Sequence, residues 1–343
     1  MNGRIENDLA IYDWCEMQLH DFPTYAKNWY WYLKANETTA MSCRQYLVIL
    51  RKFLTRINPD MKHIEVGEFT KEFVTSYFID AKFVTKNIKG KETITESSDS
   101  YKQGIWSCLN SFFEYLESQG IIEKNVIRAA QIKRPKNRDL ERINRDRILL
   151  TRDDFKKIIN AVENGVGSSG SRKYQRKYKN RDMSIMLLFM TTGMRKTALR
   201  EINVDDIDFD NKKLRVIDKG HKIHEYSLAD GLIKYLEDWI FERKLYLGVN
   251  KTDALFISRD MKRISGQSIT ELIDKYAYAA LGYHISPHKL RSGLASILYN
   301  EKHDLEYVRR VIGHSKIDTT KRYVVTDNKE REEAADYICG FLQ

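Results

Sequence analysis

The chain is 343 residues long, 42% hydrophobic and 31% charged, a globular composition with enough length for two domains that each bury a core. No run of about 18 apolar residues occurs, and the opening MNGRIENDLAIYDWCEM lacks the basic start and apolar centre of a secretion signal. A membrane-spanning or exported chain is therefore not expected and a cytosolic one is, while the formal charge of +10 and pI near 9.2 point toward a polyanionic partner such as nucleic acid.

The first part of the chain reads as helices. In TTAMSCRQYLVILRKFLTRI, Thr38 and Thr39 are candidate N-caps, and Tyr46, Leu50, Phe53 and Leu54 recur at helical spacing. SSDSYKQGIWSCLNSFFEYLESQG also opens on cap-forming residues, carries Ile105, Leu109, Phe112, Phe113 and Leu116 on one side, and stops at Gly120. These side chains are expected to form core, with no cofactor needed to explain them. Cys15, Cys43, Cys108 and Cys339 lie far apart, with no CxxC pair and no histidine at zinc-finger spacing, so reduced, mostly buried thiols are expected and no metal site.

The stretch KRPKNRDLERINRDR, Lys133 to Arg147, is basic, contains Pro135 and lacks an apolar face, as an interdomain linker does. This places a helical N-terminal domain at 1–132, a linker at 133–150 and a second domain at 151–343. The second domain begins with LTRDDFKKIINAV, where Thr151 and Asp154 have capping-box spacing. GVGSSGSRKYQRKYKNRD reads as a glycine-serine loop running into cations that include Arg172, Lys173, Arg176 and Lys177, interleaved with Tyr174 and Tyr178. Cations mixed with π faces suit a phosphate backbone, and a solvated loop is the alternative. INVDDIDFDNKKLRVIDKGHKIHEYSL alternates polar and apolar residues around two turn signals and reads as a small antiparallel sheet, after which helices return from Leu228. The fold class is thus mainly α with a small antiparallel sheet.

Four short stretches concentrate reactive side chains: TTGMRKTAL with Arg195, IDKGHKIHEY with Lys219, SPHKLRSGLA with His288 and Arg291, and IGHSKIDTTKRY with His314 and Tyr323. His288 and Arg291 are three apart and share a helix face, so both can address one anion. Arg195 follows Gly193 at a turn that permits close approach to a ligand, and Lys219-Gly220 has the look of a hairpin tip. Each also has a plain structural reading: a surface ion pair for Arg195, a solvated turn for Lys219, a helix start for His288, a buried backbone partner for His314, packing for Tyr323. Their joint occurrence in this order favours chemistry.

In that order the residues resemble the tyrosine recombinase (phage integrase) family. Arg195 stands in a T-G-x-R turn, Lys219 at a hairpin lysine, His288 and Arg291 in H-x-L-R, His314 in G-H, and Tyr323 nine residues later. Three positions depart from the family pattern: Ala198 where an acidic residue is usual, Ser292 after H-x-L-R, and Asn125-Val126 in place of Asn-Pro. The resemblance implies a helical core-binding domain and a catalytic domain that clamp duplex DNA from opposite sides, with Lys133, Arg134, Lys136 and Arg138 of the linker along the backbone and no separate arm-binding domain. It implies attack of Tyr323 on a phosphodiester, with two arginines on the nonbridging oxygens, Lys219 as proton donor to the leaving oxygen, and no cofactor or metal. It further implies a homotetramer on two DNA sites, for which the apolar stripe Ala334, Ile338, Phe341 and Leu342 would form the exchanged C-terminal helix. A type IB topoisomerase and a noncatalytic DNA-binding protein are the competing readings.

Overall fold

The computed structural model describes residues 3–88, 91–136, 150–218 and 222–313, and the chain divides into two compact units, Ile5–Asp146 and Arg147–Gln343 with Met1–Arg4. Both are predominantly helical, each with one small antiparallel sheet among the described residues. No described helix is long and apolar enough to cross a membrane.

Capping chemistry sets the helix starts of the first unit. It holds α1 (Gly3–Gln18), α2 (Thr24–Ala35), α3 (Ala40–Leu54), α4 (Lys71–Asp80), α5 (Asp99–Ser118) and the short α6 (Val126–Ala129). Thr39, Thr70 and Ser98 each accept a hydrogen bond from a backbone N–H in the first turn of α3, α4 and α5, satisfying donors that the helix itself leaves open. Asn125, fully buried, does the same for α6 through Ile127 N at 2.9 Å, and its amide donates to Asn110 Oδ1 at 3.1 Å. The position that departs from Asn-Pro therefore keeps its helix start by side-chain capping.

The expected stripes on α3 and α5 do build the core. Leu50, Phe53, Ile105, Leu109, Phe112, Phe113 and Leu116 are all buried, joined by Trp29 from α2 and Phe69 from the segment before α4. The rings meet edge-on or tilted, Trp29 to Phe112 at 5.3 Å and Phe69 to Phe113 at 5.5 Å, the arrangement that aromatic quadrupoles prefer. Cys15, Cys43 and Cys108 are buried free thiols in the same core, and Cys339 lies outside the described residues. Burial pushes the thiols of Cys15 and Cys43 up to about 11, which removes the reactive thiolate near neutral pH. Iodoacetamide at about pH 8 is accordingly expected to spare these three cysteines in the native protein and to modify them after denaturation, as peptide mass mapping would record.

One element differs from the all-helical expectation for this unit. β1 (Phe83–Ile88) and β2 (Lys91–Glu96) form an antiparallel hairpin in the register Phe83↔Glu96 and Thr85↔Ile94. The segment alternates β-branched with polar residues around a Gly-Lys pair, a period of two that a helix reading overlooks. Phe83 and Ile94 are mostly exposed, so little core burial announces the hairpin in the sequence.

The start of the basic stretch is fastened to α5. Trp106 Nε1 donates to Ile132 O at 3.1 Å, Gln103 Nε2 donates to Pro135 O at 2.8 Å, and the Arg134 guanidinium lies 5.9 Å from the Trp106 ring centroid. Lys133, Arg134 and Lys136 follow that anchored path, and Arg138 lies outside the described residues.

The second unit begins with α7 (Arg152–Asn164), whose capping box forms as expected: Asp154 N donates to Thr151 Oγ1 at 3.2 Å and Thr151 N to Asp154 Oδ2 at 2.9 Å. The following segment is not a loop. Ser169–Lys177 is a helix, α8, started by Ser168 and braced by Gln175, whose amide donates to Val166 O at 2.8 Å and accepts from Val166 N at 2.9 Å. The helix takes in Ser169, Gly170 and Ser171, and its SRKYQRK part is made of residues with fair to good helix propensity but without an apolar stripe to reveal them.

α9 (Lys179–Thr192) is buried nearly all round, with Ile185, Met186, Leu188 and Phe189 at the centre of the core. It packs against α7, α11 (Asp230–Leu247) and α13 (Pro287–Lys302). Its first turn carries an ion network in which Arg181 Nε and Nη2 donate to Asp182 Oδ1 at 3.0 and 2.8 Å and Tyr276 of α12 (Gly266–Leu281) donates to Asp182 Oδ2 at 2.9 Å. The sheet reads as expected, β3 (Ile207–Asp208), β4 (Lys213–Asp218) and β5 (Lys222–Ser227) in that order, all antiparallel. Two shorter helices complete the unit, α10 (Lys196–Glu201) and α14 (Leu305–Ile312).

Candidate active site

Arg195 owes its position to the end of α9. Gly193 terminates that helix in the left-handed region, at φ +61°, and Thr192 Oγ1 accepts from Met194 N at 3.2 Å. Buried Met194 anchors the turn in the core, and Arg195 stands half-buried in extended conformation as the N-cap of α10.

His288 and Arg291 come from the start of α13. Ser286 caps that helix and Pro287 opens it with a ring whose fixed φ suits a first turn, so His288 stands exposed at the second helical position. Asp274 Oδ1 accepts from Ile285 N at 3.1 Å and holds the approach to the helix. Arg291, one turn on, is only 2% exposed, and its Nη1 donates to Gly193 O. That hydrogen bond ties α13 to the turn that carries Arg195. Gly193 is also closed in sterically: a Cβ there would lie 3.0 Å from Leu294 Cδ2 and 3.3 Å from Ile312 Cγ2. Ser292, where the family usually has histidine, donates to His288 O at 2.9 Å.

Arg195, His288 and Arg291 thus line one cleft, together with Lys196, Thr270 and Ser286. Among the described residues that line it there is no carboxylate. A concave site walled by arginines, a lysine and an imidazole fits an oxyanion, and planar guanidinium forks match phosphate oxygens two at a time.

Lys219, His314 and Tyr323 lie outside the described residues. β4 ends at Asp218 and β5 begins at Lys222, on either side of Lys219. Gly313, which ends α14 at φ +68°, abuts β5: a Cβ there would be 3.1 Å from His224 Cε1. Ile312 in turn adjoins Gly193, where an added Cβ would lie 3.3 Å from its Cγ2, so the Gly193 turn, the end of α14 and β5 at His224 are neighbours. His224 was not singled out by the sequence, where it is one more position in the alternation of KIHEYS; its contact with Gly313 exists only in the fold.

The other cations expected on DNA are elsewhere. Arg172, Lys173, Arg176 and Lys177 are exposed on α8, where Gln175 is buried. That helix adjoins the start of α9, whereas the cleft adjoins its end, and the 14 residues between rise about 21 Å. Lys177 also lies 4.7 Å from the Tyr246 ring centroid, a local partner for its charge.

Residues 149–330 match the model of the phage integrase family. Tyrosine recombinase XerC of Caldanaerobacter subterraneus subsp. tengcongensis is 33% identical over 232 residues, 66% of this chain and 60% of that relative's length. Among solved structures, that of XerH site-specific recombinase bound to difH substrate superposes with a TM-score of 0.58 at 20% identity, covering 88% of this chain and 80% of that one. A lambda integrase tetramer bound to a Holliday junction gives 0.55 at 17% identity, covering 88% and 76%. At these identities the solved structures establish a shared fold. The family match spans more than half of the chain and includes every residue that lines the cleft, and by it the chain belongs to the phage integrase family.

Proposed function

We propose that this protein is a site-specific DNA recombinase that cleaves and rejoins strands through a 3′-phosphotyrosyl intermediate, in the integration or excision of a mobile element or the resolution of DNA multimers. The observation that carries the proposal is the convergence of Arg195, His288 and Arg291, from helix starts far apart in sequence, on one cleft with no carboxylate among its described lining residues. Tyr323 is the nucleophile in this reading. Burial alone would not make a tyrosine reactive: it raises the phenol pKa of Tyr25, Tyr77 and Tyr276 above the ordinary value of 10.0. A phenolate at neutral pH therefore needs cations beside it.

As Tyr323 Oη attacks phosphorus, negative charge grows on the nonbridging oxygens of the pentavalent transition state. Arg195 and Arg291 hold that charge more strongly than the ground state's, which lowers the barrier. Lys219 gives its proton to the departing 5′-oxygen, His288 assists proton movement at the tyrosine, and His314 bonds a phosphate oxygen. The phosphotyrosyl bond conserves the energy of the broken phosphodiester, so a 5′-hydroxyl from a second duplex reverses the step without ATP. Duplex DNA is then the partner, with residues 1–132 as the core-binding domain, 133–150 as the linker and 151–343 as the catalytic domain. Exchange of the stripe formed by Ala334, Ile338, Phe341 and Leu342 would assemble four copies on two sites in the cell interior.

The test is covalent trapping. Wild type and Tyr323→Phe are incubated with nicked duplexes tiled from the DNA flanking its own gene, then resolved on a denaturing gel. A slow-migrating protein–DNA adduct is expected for wild type and none for Tyr323→Phe. Site-selective binding without adduct would refute the chemistry, and adducts that relax supercoils but never join two duplexes would favour a topoisomerase.

A further inference from the structure

We propose that Lys196 is an additional DNA-contact residue of this cleft, binding a backbone phosphate that flanks the one held by Arg195 and Arg291. The inference rests on the reading of the cleft as a phosphodiester site. Lys196 lines the same cleft, is exposed, and its Nζ donates to Thr270 Oγ1 at 3.2 Å. Its stem lies across the first turn of α12, where a Cβ on Gly266 would be 3.5 Å from Lys196 Cε.

The electrostatics of that position are unfavourable for the protein alone. Lys196 is the first residue of α10, and Arg195 is its N-cap, so two cations stand at the positive end of one helix while the ammonium rests beside the positive end of another. Helix starts favour acidic residues, and neither α10 nor α12 has one in its first turn. Thr270, a neutral hydroxyl, is the hydrogen-bond partner of Lys196 among the described residues. A lysine so placed is offset by an anion that arrives with the substrate. Its compact charge suits a phosphate as a point contact, whereas the arginine forks suit the oxygens that gain charge during the reaction.

The experiment compares wild type, Lys196→Met and Lys196→Arg on a labelled duplex, recording affinity by anisotropy between about 50 and about 200 mM salt together with adduct formation and thermal melting. Lys196→Met is expected to reduce the slope of log affinity against log salt by about one, equally on unrelated sequences, because a phosphate contact positions DNA without reading it. Its adduct rate should fall about tenfold at subsaturating DNA, Lys196→Arg should recover the slope, and the melting temperature should equal or exceed that of wild type. An unchanged slope, or a lowered melting temperature with unchanged slope, overturns the proposal and marks Lys196 as a brace between α10 and α12. The reduced slope without any wild-type adduct would sustain the Lys196 contact while refuting the cleavage reaction, so the two readings fail separately.

Discussion

Replacing Arg291 with alanine is expected to slow adduct formation by at least about 10³-fold while the second unit remains folded. The guanidinium lines the cleft and its Nη1 donates to Gly193 O, so in the proposed reaction one side chain would both serve the reacting phosphate and tie α13 to the Arg195 turn. Removing it leaves that buried carbonyl without this donor, a cost of about 1–3 kcal/mol that is partly offset by relief of a buried charge. Against a stability of about 5–15 kcal/mol for a domain, this does not unfold the protein. Arg291→Lys keeps a charge but not the fork, and an intermediate rate is expected. Single-turnover trapping beside a thermal melt decides the matter: activity that falls only in proportion to the folded fraction would reduce Arg291 to a structural role.

The second large effect is expected at Gly193. At φ +61° an alanine costs roughly 1–2 kcal/mol in backbone strain. Its Cβ would also press on Leu294 at 3.0 Å and Ile312 at 3.3 Å, and crowding of this kind adds about 1–3 kcal/mol. The sum, about 2–5 kcal/mol, predicts for Gly193→Ala a melting temperature lower by roughly 5–20 °C. Leu294 belongs to α13, whose first turns line the cleft, and Gly193 sits two residues before Arg195, so the rate of adduct formation should drop even in the folded fraction. A melting temperature within about 2 °C of wild type would show that the turn relaxes and that the glycine is dispensable.

Much of this protein is written locally. Ser98, Thr39 and Thr151 fix helix starts through hydrogen bonds that span three residues, and the stripes on α3 and α5 have the period of the helix they bury, so both are legible without a fold. The order of the T-G-x-R, hairpin, H-x-L-R and G-H stretches is equally a property of the sequence. Segments whose local signal is weak were decided by their surroundings: Ser169–Lys177 has no apolar stripe yet is held as a helix by Gln175 and the Val166 backbone, and the Phe83–Glu96 hairpin buries too little to declare itself. The site belongs to the tertiary structure outright. That Arg291 hydrogen-bonds the carbonyl of Gly193, that Gly313 abuts His224, and that Lys196 crosses the start of α12 depend on contacts between residues tens of positions apart. Such contacts are fixed by how helices pack, and packing is set by the shape of the whole core, which no window of sequence contains.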